Sequence, residues 1–230
     1  MMVRFPVHSK MKVIILIDGK NFEQGVINLS KKRGEFRFID FHKIKNFVLE
    51  YLQNNSQYEN IRLSLLRTYF YTGEYTNRLI ENIERHIEKD KENKRLKELL
   101  EHCKKKYKIQ NNFIKFSKSY YFFELRLKPL QFSPNDFAVF QKGVDVQLAA
   151  DLVDFTHKNI YDIAVLLSGD VDLLESIKIV KSMGKHIIIF GDASATAEEM
   201  KKYSDMFIDI GRFSEEQLNK FTHKPEEIKQ

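Results

Sequence analysis

The chain's chemical signal lies in its aspartates. Asp170 and Asp172, at alternate positions in Ser168-Gly169-Asp170-Val171-Asp172, follow the apolar run Ala164 to Leu167 and precede an apolar helical pattern of Leu173, Leu174, Ile177 and Val180. That puts both at the carboxyl end of a strand and the amino end of a helix. Two carboxylates there suit a hydrolytic or metal site, because ligands of an open α/β sheet bind at that edge. An aspartate opening a helix is also a common N-cap, and for either residue alone both readings stand. Asp18 repeats the pattern at the end of Lys12 to Ile17, in Asp18-Gly19-Lys20-Asn21. Asn21 could cap the next helix or hold Asp18 by a hydrogen bond, whereas Asp-Gly alone is ordinary turn chemistry.

A third acidic stretch runs from Asp145 to Asp154. Placed on a helix, Val144, Leu148, Leu152 and Phe155 form one apolar arc with Ala149 beside it; Asp145 then points inward, Asp151 lies at the margin and Asp154 faces water. A carboxylate aimed at a core is costly unless paired, hydrogen-bonded or bound to a metal. The competing account is a first-turn aspartate stabilised by the helix dipole.

The elements that must position these groups are short all-apolar strands, the kind buried on both faces of a parallel sheet covered by helices. Lys12 to Ile17, Ala164 to Leu167 and His186 to Phe190 fit, with a shorter strand near Met206 to Ile208 and a further one from Ile61 to Tyr71. Helices are predicted from Asp40 (as N-cap) to Gln53, from Val171 to Met183 with Gly184 as the stop, and from Thr196 to Tyr203. Tyr75 to Lys108 predicts one long helix or a helical hairpin broken near Lys89-Asp90-Lys91; its Lys104-Lys105-Lys106 run reads as a solvated face or a phosphate-tracking one. Asn112 to Phe132, dense in Phe, Tyr and Lys, predicts a β-hairpin with one apolar face. Everything beyond Gly211 reads as polar helix or tail, frayed at Lys224-Pro225-Glu226-Glu227. The expectation is one α/β domain over 1–211, with core 12–73 and 136–210, an insertion at about 74–135, and a polar tail over 212–230.

Composition sets outer limits. The 230 residues, 43% hydrophobic and 30% charged, can build one large core or one core with a sizeable insertion. The single cysteine, Cys103, excludes an internal disulfide framework, argues against a Cys-based zinc site and fits a reducing cytoplasm. Met1 to Pro6 carries no long apolar region after its positive charge, and no later run approaches a membrane span, so a cytoplasmic protein with no membrane partner is expected. The net charge of +6 leans toward polyanionic partners.

Taken together and in this order, Ile17-Asp18-Gly19-Lys20-Asn21, Lys142-Gly143-Val144-Asp145-Val146 with Leu148-Ala149 and Asp151, and Leu167-Ser168-Gly169-Asp170-Val171-Asp172 with Gly184 downstream resemble the NYN domain. That domain belongs to the PIN-like nuclease superfamily, and the likeness is to its LabA-like branch. It covers roughly 12–73 and 136–210. Leu173 stands where an aromatic is usual, a departure that bears on packing.

The resemblance implies a PIN-like, Rossmann-like three-layer α/β/α fold with a mostly parallel central sheet and an inserted helical and hairpin segment. It implies an acidic cluster of Asp18, Asp145 and Asp170 binding Mg²⁺ or Mn²⁺, hard cations that favour oxygen ligands and bridge to phosphate. Asp172 would bind a second ion or orient water, Asn21, Ser168 and Asp151 would support, and Lys20 and Lys142 would contact the nucleic-acid backbone. The function implied is metal-assisted hydrolysis of RNA phosphodiesters, an endoribonuclease. Two other classes compete: a non-catalytic module that binds RNA or protein, and a small-molecule phosphohydrolase of the haloacid dehalogenase type. The latter needs a second Asp two residues after the first, where this chain has Lys20. No Gly-x-Gly-x-x-Gly follows either strand, which disfavours a dinucleotide binder. A homodimer is left open.

Overall fold

A computed structural model describes residues 10–225; the reading of Met1 to Pro6 and of the Glu226-Glu227 end falls outside the described residues. The chain runs β1 (Lys10–Asp18), α1 (Gly19–Arg33), β2 (Phe38–Ile39), α2 (Phe41–Gln53), β3 (Arg62–Glu74), α3 (Asn77–Lys89), α4 (Lys94–Ser117), β4 (Phe123–Pro129), β5 (Gln131–Ser133), β6 (Ala138–Phe140) and α5 (Val144–His157). It continues with β7 (Ile163–Leu167), a 3₁₀ turn (Val171–Leu173), α6 (Leu174–Ser182), β8 (His186–Gly191), α7 (Glu198–Tyr203), β9 (Met206–Asp209), a second 3₁₀ turn (Ile210–Arg212), α8 (Glu215–Asn219) and β10 (Thr222–His223).

Six strands form one sheet in the order β4-β3-β1-β7-β8-β9, every neighbouring pair parallel. The apolar runs are buried because helices cover both faces. Val13, Ile15 and Ile17 pack toward α1, α2 and the carboxyl-terminal Phe213, Leu218 and Phe221. Ile14 and Leu16 pack toward α5 and α6 on the other face. The architecture is therefore α/β/α. From β1 the chain builds outward to β3 and β4, then returns to the opposite side of β1 for β7, β8 and β9. The β1/β7 boundary is the topological switch point, where a crevice opens beyond the strand ends.

The helical hairpin forms as its sequence suggests. α3 ends at Lys89, and Asn93 caps α4 by accepting from Leu96 N. Leu79, Ile83, Leu96 and Cys103 make a small separate core. Cys103 is buried there, and burial pushes its thiol up, away from the reactive thiolate.

Two expectations need correction. Asn112 to Phe132 is not a β-hairpin: α4 continues to Ser117, and β4 joins the central sheet parallel to β3. The alternation at Leu125-Arg126-Leu127 does mark a strand, but an edge strand shows the same alternation, and long β3 offers a free edge. The hairpin is β5–β6, a few residues later. The stretch after Gly211 is not a polar tail over its described part either. β10 pairs antiparallel with β2, and Phe213, Leu218 and Phe221 are buried. Three anchors across a five-residue helix and a two-residue strand are too few for periodicity to reveal.

Candidate functional site

Adjacent register brings the first two motifs together. Ile17 pairs with Leu167, so Asp18 and Ser168 emerge side by side at the switch point. Asp18 caps α1, its Oδ1 accepting from Asn21 N at 3.1 Å, while Ser168 Oγ donates to Asp18 Oδ2 at 3.3 Å. Asn21 Oδ1 accepts from Gly169 N at 2.8 Å, which ties the start of α1 to the end of β7. Asp170 N donates to Ser168 Oγ at 3.2 Å, and Asp170 Oδ1 caps the 3₁₀ turn by accepting from Asp172 N at 3.1 Å. The N-cap reading holds for both Asp18 and Asp170, and capping is what aims these carboxylates along the rim.

Two glycines shape the site, one by close approach and one by backbone conformation. A Cβ on Gly169 would lie 2.4 Å from Thr196 Oγ1 and 3.3 Å from Thr196 Cα, so any side chain would push the Asp170 loop off its seat. Gly143 caps α5 at φ 75°, a left-handed conformation that glycine adopts without strain, and delivers Asp145 into the first turn. Val144, Leu148, Leu152 and Phe155 are buried as the helical arc requires, with Asp145 half-buried beside them and Asp154 exposed.

The electrostatics are those of an uncompensated acidic group. Asp18 is 5% exposed, and its carboxyl is pushed up. Burial is the largest cause, opposed by the Asn21 backbone bond, reinforced by the charge of Asp170, opposed by Ser168 and reinforced by Asp145. Among the described residues, Asp18, Asp145, Asp170 and Asp172 have no Lys, Arg or His partner within 4.0 Å. A divalent cation would supply the missing positive charge, and the donor set of carboxylates with a serine hydroxyl suits a hard ion. In charge and donor chemistry the residues therefore fit one. Among the described residues no three acidic, His or Cys side chains stand close enough to hold a metal, so binding would include their convergence.

The remaining sequence-derived candidates divide. Asp172 is exposed at the rim. Asp151 stands apart, accepting from Tyr71 Oη at 2.9 Å and paired with Arg126 at 3.2 Å, so its charge is already answered. Lys20 and Lys142 are both exposed; Lys20 leads from Asp18 into a cavity of about 660 Å³. Two acidic residues were missed. Glu23 lines that cavity, on the α1 face it shares with Lys20 three residues earlier, a spacing readable in advance. Glu23 is exposed as a residue, yet protein crowds its carboxyl: burial raises it most, Lys106 opposes and Asp18 adds. Asp192 follows β8 as Asp18 follows β1, but carries its own cation, Lys32, at 3.6 Å.

Comparison with known proteins adds the family. The NYN domain model matches residues 12–211. The chain belongs to the NYN domain family. NYN domains are part of the PIN-like superfamily, whose nuclease-like fold is the one described above. No curated protein matches the chain. Among solved structures, a Vibrio parahaemolyticus protein of unknown function aligns at TM-score 0.57 and 15% identity over 95% of this chain and 100% of its own, a likeness of fold alone. A Listeria monocytogenes protein assigned as a UDP-N-acetylglucosamine 2-epimerase aligns at TM-score 0.34 and 7% identity over 92% of this chain and 42% of its own, too weak to bear on either.

Proposed function

We propose that this NYN domain is a divalent-metal-dependent endoribonuclease, with Asp18, Asp145 and Asp170 holding Mg²⁺ or Mn²⁺ and Asp172 serving the attacking water. The observation that carries the reading is the buried Asp18, raised by burial and by two neighbouring aspartates, at the switch point of a nuclease-like fold. The ion, when bound, neutralises charge on the scissile phosphate and eases deprotonation of water.

The chain's own residues do the rest. Ser168 and Asn21 fix the orientation of Asp18 and the Gly169 turn, which leaves Asp145 and Asp170 to converge on an ion. Asp172, exposed beside Asp170, accepts a hydrogen bond from water approaching the phosphorus. Exposed Lys20 and Lys142 attract the RNA backbone, as point charges that position without reading sequence.

The test replaces Asp170 with Asn and follows cleavage of labelled RNA in Mn²⁺. Cleavage falling by on the order of 100-fold supports the assignment, whereas undiminished cleavage removes Asp170 from it. Absent turnover by the unmodified chain, with tight and salt-sensitive RNA binding retained, would favour the non-catalytic binding module.

A further inference from the structure

The cavity of about 660 Å³ that begins at Lys20 has a size suited to one small ligand rather than a duplex groove. Its inner wall is α1, the β2–α2 junction from Ile39 to Phe41 with His223 beside it, and the end of β3; its outer wall is α4 and the residues around β6, from the stretch between β3 and α5. The walls are latched together. Gln110 of α4 donates to Gly73 O at 2.7 Å and accepts from Tyr75 N at 2.8 Å, and Gln141 Oε1 accepts from Gly73 N at 3.0 Å. Gln141 holds its oxygen this way while its amide nitrogen has no protein partner among the described residues, a fixed donor beside the cavity.

The lining carries three chemistries at once. Phe41, Phe113 and Tyr120 are half-buried, packed to one another or to neighbours yet retaining exposed surface. Lys20 and Lys106 are exposed, and among the described residues neither lies within ion-pair distance of an acid. Glu23 accepts, Gln141 donates. Aromatic faces, a pair of cations and a donor beside an acceptor are what a base, a phosphate and the polar edge of a nucleotide require. Asp18 stands beside Tyr71 in the β1–β3 register, and Thr72 and Gly73 line the cavity, so it opens beside the acidic rim.

We propose that this cavity takes one unpaired nucleotide of the RNA next to the bond to be cut, its base against Phe41, Phe113 and Tyr120 and its phosphate against Lys20 and Lys106. The substrate named here rests on the nuclease reading; the cavity does not. A paired and stacked base cannot enter, so the RNA is single-stranded or offers a splayed nucleotide at this point. The segment between β3 and α5 thereby acquires a role: it closes the pocket over the rim.

The test uses the full chain in EDTA, where cleavage is suppressed, and a short single-stranded RNA carrying 5-iodouridine. Photocrosslinking should fall on Phe113, Tyr120 or Phe41; crosslinks confined to other residues, the exposed Tyr121 and Phe122 included, overturn the proposal. By fluorescence anisotropy the single strand should bind about tenfold tighter than the same sequence as a blunt duplex. Lys106→Ala, at an exposed position, should weaken binding several-fold and lower the salt slope by about one. Equal duplex affinity, or a Lys106→Ala variant indistinguishable from the parent, sinks the pocket. Crosslinking at the pocket without any Mn²⁺-dependent cleavage would sink the nuclease reading and leave the pocket standing. Asp170-dependent cleavage with crosslinks elsewhere would do the reverse.

Discussion

Asp18 and Asp192 occupy equivalent places on one rim of the sheet, with β7 between their strands, and their surroundings differ in sign. Each follows a buried parallel strand, and they are 5% and 6% exposed respectively. Around Asp192, Ser194 donates from both its backbone N at 3.0 Å and its hydroxyl at 2.8 Å, and Lys32 stands at 3.6 Å, an ion pair too long for a hydrogen bond. Burial raises Asp192, but these partners outweigh it and hold its carboxyl below the usual aspartate range. Asp18 has comparable hydrogen bonds from Asn21 and Ser168, yet its nearest charges are Asp170 and Asp145, and its carboxyl is raised. Each accepts two hydrogen bonds; what differs is that burial weighs more heavily on Asp18 and that the charges acting on it are acids, where Asp192 has Lys32. A fold that answers one buried aspartate with lysine and surrounds its counterpart with acids has left the second one's charge to be balanced from outside.

Cleavage should break the pair apart most widely. Asp18→Asn keeps the N-cap, since asparagine caps as well as aspartate, but removes a ligand charge. Activity on labelled RNA in Mn²⁺ should drop by on the order of 100-fold or more. Asp192→Asn should stay within about threefold, because its partners are structural. Equal losses in the two variants would mean that the contrast in charge has no bearing on catalysis. The next effect is thermal. At a hundredfold excess over its Kd, an ion that binds only the folded chain adds about 2.7 kcal/mol, which for a chain of this size raises the melting midpoint by ~5 °C or more. Mn²⁺ should therefore raise the midpoint of the parent and of Asp192→Asn, and not that of Asp18→Asn. A rise retained in Asp18→Asn would place the ion elsewhere.

How far this contrast could be read in advance depends on range. Apolar runs bounded by turns mark β1, β7 and β8 because burial on both faces leaves no polar position, and each run delivers an aspartate to the same rim. The helical arc through Val144, Leu148, Leu152 and Phe155 places Asp145 at the half-buried margin. What spacing does not carry is the partner across the fold. Asp151 lies at the margin of the arc, and the resemblance makes it a supporting acid, but Arg126, which answers it, arrives on β4. Lys32 reaches Asp192 from the last turn of α1, so Asp18 and Asp192 look alike along the chain and differ only in space. The same holds for β4, whose alternation announces a strand without naming β3 as its neighbour, and for Phe213, Leu218 and Phe221, whose burial depends on a docking site on α2 and the sheet.

The smallest effect is in stability against pH, and there the two residues should move in opposite directions. Asp192 has a folded pKa below the 3.8 of a free aspartate. Its contribution is present above that value and is lost as pH falls through the folded one. Asp192→Asn should then destabilise the protein by about 1 kcal/mol near neutrality. Lys32 adds little to this because it is more than half exposed. That difference should close as pH drops below 3.8. Asp18 has a folded pKa above 3.8, so what it contributes is present below 3.8 and lost as pH rises through the folded value. Near neutrality, in EDTA, Asp18→Asn relieves a buried charge and should stabilise the chain by several tenths of a kcal/mol, on the order of one neutral hydrogen bond. The gain should shrink toward zero as pH falls to 3.8, where the native aspartate is itself protonated. Urea unfolding of the parent and both variants at about pH 7, about pH 4 and about pH 3 measures this directly. An Asp18→Asn variant less stable than its parent at neutral pH would mean that Asn21 and Ser168 already satisfy the ionised carboxylate, leaving no deficit for an ion to fill.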